Sequence, residues 1–123
     1  MKPVRVEKSW GHELWIHNDA QYCGKLLVFT QDRQGCSMHY HMKKNETWYV
    51  QEGSFIYRRI AVNSENGGLV ESILEPGCVI EIPAGLPHQL ILCASKGIIF
   101  EVSTQHFEDD SYRIFRNYST ELM

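Results

Sequence analysis

The chain has 123 residues, 43% of them hydrophobic and 22% charged, with a net charge of −3. That is the make-up of a single ordinary globular domain, residues 1–123, long enough to bury a core without disulfides or a structural metal; it excludes intrinsic disorder. No run of lysines or arginines exceeds two residues, and no window approaches the ~18 apolar residues that span a bilayer, so neither nucleic acid nor a membrane is an expected partner.

In chain order, nearly every segment reads as a short strand bounded by turn residues. Val4 to Lys8 alternates apolar and charged side chains, Ser9-Trp10-Gly11 breaks it, and Glu13 to Ile16 precedes the Asn18-Asp19 turn. Tyr22 to Thr30 is the first long buried strand, with Lys25 on the face of Leu27 and Phe29. Asp32 to Gly35 turns the chain into a strand carrying His39 and His41, and a second run from Glu46 ends at Gly53. In Ser54 to Val62, Arg58 shares a face with Ile56, Ile60 and Val62; either that face or the one with Phe55, Tyr57 and Arg59 is the interior, and periodicity does not choose. Asn63 to Gly68 is a hairpin loop, and Leu69 to Glu75 runs back to the Pro76-Gly77 turn. Cys78 to Ile82, the strand headed by His88, and Ile98 to Thr104 follow. The tail then changes character, with acids at Glu108 to Asp110 and either Asp109 or Ser111 able to cap a short terminal helix. Roughly nine or ten strands at this spacing predict an all-β sandwich or barrel. Cys23, Cys36, Cys78 and Cys93 show no CxxC spacing, and no apolar leader precedes the domain. Reduced thiols in a cytoplasmic protein are therefore expected.

The chemistry concentrates between Gly35 and Gly53. Two residues apart on a strand, His39 and His41 present both imidazoles to one side. If the following strand pairs antiparallel, Glu46 returns to the same place, and two nitrogens and an oxygen converge as a divalent metal site requires.

These residues also fit a known pattern. HxHx4Ex6G, filled by His39, His41, Glu46 and Gly53, resembles the first motif of the cupin superfamily; Gx5PxGx2H, filled by Gly77, Pro83, Gly85 and His88, resembles the second. The resemblance implies a cupin jelly-roll β-barrel with His39, His41, Glu46 and His88 around a divalent ion, which zinc, manganese, iron or nickel would each suit. A lone strand histidine is more often a hydrogen-bonded core residue, but four ligands at the family's spacing reverse that reading. Gly35 stands closer to His39 than the pattern has it, and Leu92 replaces an asparagine. These are turn and support positions.

The flanks EKSWGHELWI, YCGKLLVF and EVSTQHFEDDSYRIFRNYS resemble the cupin domain of type II mannose-6-phosphate isomerases. That likeness implies aldose-ketose isomerisation of a sugar phosphate, with cationic side chains holding the anion: Lys25 and Arg58 first, then Lys43 and Arg113. Glu52 and Glu101 are candidate bases, and Trp48, Tyr49, Tyr57 and Phe100 candidate lining. Two rival readings use the same ligands, an iron-dependent dioxygenase with a mainly apolar pocket and a non-catalytic small-molecule binder. His12, His17 and His106 are expected in loops or on the surface, with His106 able to reach the barrel rim. Edge strands and the aromatic tail Tyr112, Phe115 and Tyr118 suggest a homodimer.

Overall fold

The computed structural model describes residues 1–61 and 68–115. Eleven strands appear there: β1 (Val4–Lys8), β2 (Gly11–Asn18), β3 (Cys23–Phe29), β4 (Met38–Tyr40), β5 (Glu46–Glu52), β6 (Phe55–Ile60), β7 (Leu69–Leu74), β8 (Val79–Ile82), β9 (His88–Leu92), β10 (Gly97–Ser103) and β11 (Tyr112–Phe115). They form two antiparallel sheets, ordered β1-β2-β3-β10-β5-β8 and β11-β4-β9-β6-β7, the all-β architecture that the spacing of the strands predicts and the jelly roll that the cupin resemblance implies. Two expectations need adjusting. Tyr112–Phe115 is a strand paired with β4 rather than a terminal helix, and no helix occurs among the described residues. Tyr118 and most of the Asn63–Gly68 loop lie outside the described residues.

The core lies between the sheets. Its apolar end stacks Trp10 on Phe29 (centroids 4.1 Å apart) and sets Phe29 edge-on to Phe55, among Val50, Leu92 and Ile99. Each such side chain, removed from water, contributes roughly 1.5–3 kcal/mol. Gly11 is the one residue type that fits its position, because φ there is +151° and a Cβ would stand 2.0 Å from the Val28 carbonyl oxygen.

Along the strands the inner face changes chemistry. Phe29 and Leu27 give way to Lys25 on β3, Ile99 to Glu101 on β10, Val50 and Trp48 to Glu46 on β5, and Leu92 and Leu90 to His88 on β9. The pairings Glu101 with Lys25 and Glu101 with Trp48 put these switches at one end of the barrel. One end is therefore a packed hydrophobic plug, and the other a pocket walled by buried charges. On β6 the choice left open by periodicity is made. Phe55 and Tyr57 enter the core, whereas Arg58 turns to the outer face with Ile56 and is buried there.

Candidate metal centre

His39 on β4 is the register partner of His88 on β9, so two imidazoles start side by side. His41 follows just beyond β4, and its backbone carbonyl accepts the Gly85 N–H at 2.6 Å, which ties the two motif loops together. Ligand atoms of His39, His41 and His88 all lie within 4.8 Å of one another. Each ring is fixed in the same way: its Nδ1–H donates to a backbone carbonyl, of Ser37 (2.7 Å), Asp110 (2.6 Å) and Leu86 (2.8 Å) respectively. A carbonyl only accepts, so Nδ1 carries the proton and Nε2 keeps its lone pair. Hydrogen bonding of this kind orients a metal-binding histidine.

Glu46 completes the set. Its Oε1 accepts the indole N–H of Trp48 at 2.7 Å, while Oε2 lies 3.5 Å from His41 Nε2 and 3.7 Å from His88 Nε2. Buried, that Oε2 has no hydrogen-bonding partner, a costly condition for a carboxylate oxygen unless a cation satisfies it. Donors sharing one ion at ~2.1 Å each cannot be more than ~4.2 Å apart, a limit Glu46 already meets toward His41 and His88. The three imidazole nitrogens form a cluster of the kind a divalent ion takes, and Glu46 Oε2 stands beside two of them as a candidate fourth donor.

The electrostatics agree. Burial lowers the pKa of His39 to about 4, against the backbone hydrogen bond to Ser37, and lowers those of His41 and His88 as well. The imidazoles are neutral at pH 7, the form that binds metal. Burial and then the Glu101 charge push Glu46 up to about 8; Glu101 is raised by burial too, but Lys44 and Lys25 outweigh that and hold it near 2.

The four donors line a cavity of about 260 Å³. Beside them stands a second polar group. Lys44 Nζ donates to Glu101 Oε2 at 3.2 Å, lies 3.8 Å from Glu46 Oε2, and donates to His106 Nδ1 at 3.3 Å. Because an ammonium only donates, His106 Nδ1 accepts and its proton sits on Nε2, 3.6 Å from Glu108 Oε1. Burial, with Lys25 and Lys44 nearby, lowers His106 to about 3. Lys25 Nζ lies over the Trp15 ring (4.4 Å) and 3.5 Å from Glu13 Oε1.

The sequence expectations divide accordingly. Lys25, Arg113, Glu101 and Trp48 line the cavity with the four donors. Arg58 does not, which corrects its assignment to the anion grip: on the outer face its Nε donates to Glu71 Oε2 at 2.8 Å. Lys43 lies over the Phe107 ring instead, Glu52 is exposed, and Tyr49 and Phe100 point outward, 45% and 37% exposed. Tyr57 packs behind Trp48 without reaching the cavity. His106, expected near the rim, is a wall residue, and His17 stacks on Tyr22 away from the site. Lys44, Glu13, Trp15 and Asp110 were not foreseen. For Glu13 and Trp15 the signal was present, since they alternate on one face of a strand.

No family model and no curated protein matches the chain. Solved structures do. The capsular polysaccharide assembling protein CapF from Staphylococcus aureus superposes with a TM-score of 0.77 at 16% identity, over 94% of this chain and 32% of that one. Oxalate decarboxylase from Bacillus subtilis gives 0.76 at 14% identity, over 91% and 30%, and KdgF from Halomonas sp. gives 0.70 at 13% identity, over 86% and 89%. This chain thus spans about a third of the first two proteins and most of the third. The likeness is one of fold, the cupin jelly roll.

Proposed function

We propose that this cupin-fold protein is a metal-dependent isomerase or epimerase acting on a small sugar or sugar phosphate, as the resemblance to mannose-6-phosphate isomerases implies. The observation that carries the reading is the composition of one cavity: three oriented Nε2 atoms and a Glu46 Oε2 that no hydrogen bond satisfies share it with Lys25, Lys44, Glu101 and His106. A dioxygenase pocket can be mainly apolar, whereas moving a proton between adjacent hydroxylated carbons needs charged groups beside the metal donors.

Held by His39, His41, His88 and Glu46, a divalent ion would supply Lewis acidity toward a carbonyl and its neighbouring hydroxyl; zinc, manganese, iron and nickel are all compatible with these donors. Around it the chain's own residues have separable tasks. Glu101 faces the cavity as a carboxylate at pH 7, so its oxygens are the atoms able to take a proton from a substrate carbon or hydroxyl, while His106, neutral and accepting from Lys44 through Nδ1, positions that lysine. Lys44, bound to both, holds them in place and brings positive charge to where an oxyanion develops. Trp48 fixes the Glu46 carboxylate through Oε1. The volume, small for a ligand pocket (~300–1,000 Å³), favours a substrate the size of one sugar unit.

The test is elemental analysis of the purified protein, followed by proton NMR of mannose 6-phosphate and related sugar phosphates in D2O with each metal. Exchange of the proton on the carbon beside the carbonyl, lost in Glu101→Gln or His106→Asn, is the expected result. No exchange with any of the four metals, combined with oxygen uptake on a small organic acid, would overturn the proposal.

A further inference from the structure

The inner face of β6 changes chemistry as its neighbours do, from Phe55 and Tyr57 to Arg59, yet Arg59 does not line the metal cavity. As the register partner of His88 on β9, it shares the inner side of the barrel with that histidine. It is half-buried and makes no hydrogen bond or ion pair among the described residues, in contrast to Arg58. A guanidinium carries five N–H donors in a planar fork, so all five are left to water or to a guest. Tyr57 stands about 7 Å away along the same strand. It is 4% exposed, and its hydroxyl likewise has no hydrogen-bonding partner among the described residues.

Both side chains line a groove of about 410 Å³ between β7 and β8, the edge strands of the two sheets. Ser72, the register partner of Tyr57 on β7, adds a second hydroxyl. Burial raises the Tyr57 phenol and keeps it a protonated donor; the Arg59 charge pulls it the other way, so the two groups are within electrostatic reach. Glu81, exposed on β8, lines the groove without forming an ion pair to Arg59. Donors gathered around one guanidinium are what recognises an oxoanion. No described residue lines both this groove and the metal cavity, but the groove touches two supports of the metal donors. Tyr57 meets Trp48 edge-on (centroids 5.9 Å apart), and the Trp48 indole holds Glu46. Leu86, also in the lining, accepts Nδ1–H of His88 through its carbonyl.

We propose that this groove is a second ligand site, in which Arg59, Tyr57 and Ser72 hold a small oxoanion, carboxylate or phosphate, and that its occupant tightens metal binding next door. The site lies outside the substrate cavity and does not rest on the isomerase reading. The Arg59 fork takes two oxygens of the guest, and the hydroxyls of Tyr57 and Ser72 donate to what remains. Glu81 is the opposing charge: it weakens the site without being part of it. A guest that orders Tyr57 against Trp48, and Leu86 beside His88, restrains Glu46 and His88 before metal arrives, which leaves less ordering for the metal to impose. The coupling is reciprocal, so metal tightens the anion by the same factor.

The experiment is isothermal titration of the metal-free full chain with inorganic phosphate and, separately, acetate, for wild type, Arg59→Met, Arg59→Lys, Tyr57→Phe and Glu81→Gln. Nickel affinity is then read by chelator competition with and without the anion that binds. Arg59→Met should weaken that anion tenfold or more, Arg59→Lys should retain part of the binding, and Tyr57→Phe should weaken it several-fold. Glu81→Gln should tighten it, because a neighbouring like charge is gone. The stronger binder, phosphate or acetate, identifies the oxoanion. Bound anion should raise nickel affinity about fivefold in wild type and leave it unchanged in Arg59→Met. Arg59→Lys and Tyr57→Phe keep the bulk of their side chains, so they report on the site even where Arg59→Met lowers the melting temperature. No binding of either anion by wild type at millimolar concentration, or binding that the Arg59 and Tyr57 variants leave unchanged, overturns the site. Arg59-dependent binding with unchanged nickel affinity overturns the coupling.

Discussion

Loading the site with a divalent ion at pH 7 should release about one proton, and the structure says which. The three imidazoles contribute none: burial holds His39 near 4, and His41 and His88 are likewise lowered, so their Nε2 atoms are already bare. Glu46 is the exception, pushed up to about 8 by burial and by Glu101. One unit below that value about nine molecules in ten carry the proton, and at pH 9 only about one in ten. Coordination requires the carboxylate, so the proton must leave. Since Glu46 and Glu101 face the same Lys44 ammonium, the proton belongs to the pair rather than to either oxygen. Titrating zinc into metal-free protein, in buffers of different ionisation enthalpy, gives the count from the slope of heat against buffer enthalpy. The expected values are ~0.9 at pH 7 and ~0.1 at pH 9, with apparent affinity rising about fivefold from pH 7 to 8, about twofold more by pH 9, and then levelling. Glu46→Gln should show almost no release at either pH and bind at least tenfold more weakly. Release of two or three protons at pH 7 would mean that the histidines are charged before metal arrives, and the tautomer argument would fail. No release in wild type would mean that Glu46 is already ionised before metal arrives, whereas unchanged affinity in Glu46→Gln would remove Glu46 from the ligand set.

Three further outcomes follow from single contacts. Asp110 holds the first ligand loop twice over, its carboxylate accepting the N–H groups of Met42 (2.9 Å) and Lys43 (3.1 Å) and its carbonyl accepting Nδ1–H of His41; Asp110→Ala should weaken metal binding ~10–100-fold in a chelator competition, with Asp110→Asn recovering much of it, and unchanged affinity in the alanine variant would refute the latch. Arg58→Met should lower stability by ~1–3 kcal/mol in urea unfolding, less than a fully buried pair costs because Glu71 is 33% exposed, while leaving metal and anion affinity untouched; weaker ligand binding would return Arg58 to the site. A Cβ on Gly35 would stand 1.9 Å from the Leu90 carbonyl oxygen, whereas one on Gly24 meets nothing within 4 Å, so Gly35→Ala should lower the melting temperature sharply and Gly24→Ala should not.

The clustering of the candidate metal donors was legible because their placement is local. His39 and His41 need only the two-residue repeat of a strand, and Glu46 needs only one turn to bring it back. Lys25 was legible for a related reason: Leu27 and Phe29, on its face, are core residues, so alternation carried the lysine inside with them. Arg58 failed on the same test. All four residues from Phe55 to Arg58 are buried, so both faces of β6 are covered and period two contains no inside. The tail failed because Asp110, in a segment read as a helix cap, spends its carboxylate on Met42 and Lys43 across the molecule. With no capped turn, Tyr112–Phe115 pairs with β4.

The remaining site residues share one property, distance in the chain. Lys44 meets Glu101 across 57 positions and His106 across 62, and His41 meets Asp110 across 69. No local pattern encodes these contacts; they exist because β10 lies between β3 and β5 and the chain that leaves it must pass the open end of the barrel to reach β4. Asn18 fastens that passage by exchanging two hydrogen bonds with the backbone of His106, and Asp110 fastens its other end at the first ligand loop. The segment between them supplies His106 and Glu108 to the cavity wall. The metal donors come from the two motifs, but the groups that can hold or move a proton beside them come from β10 and this C-terminal passage. Proteins that share both motifs can therefore differ in chemistry through a stretch that the motifs do not include.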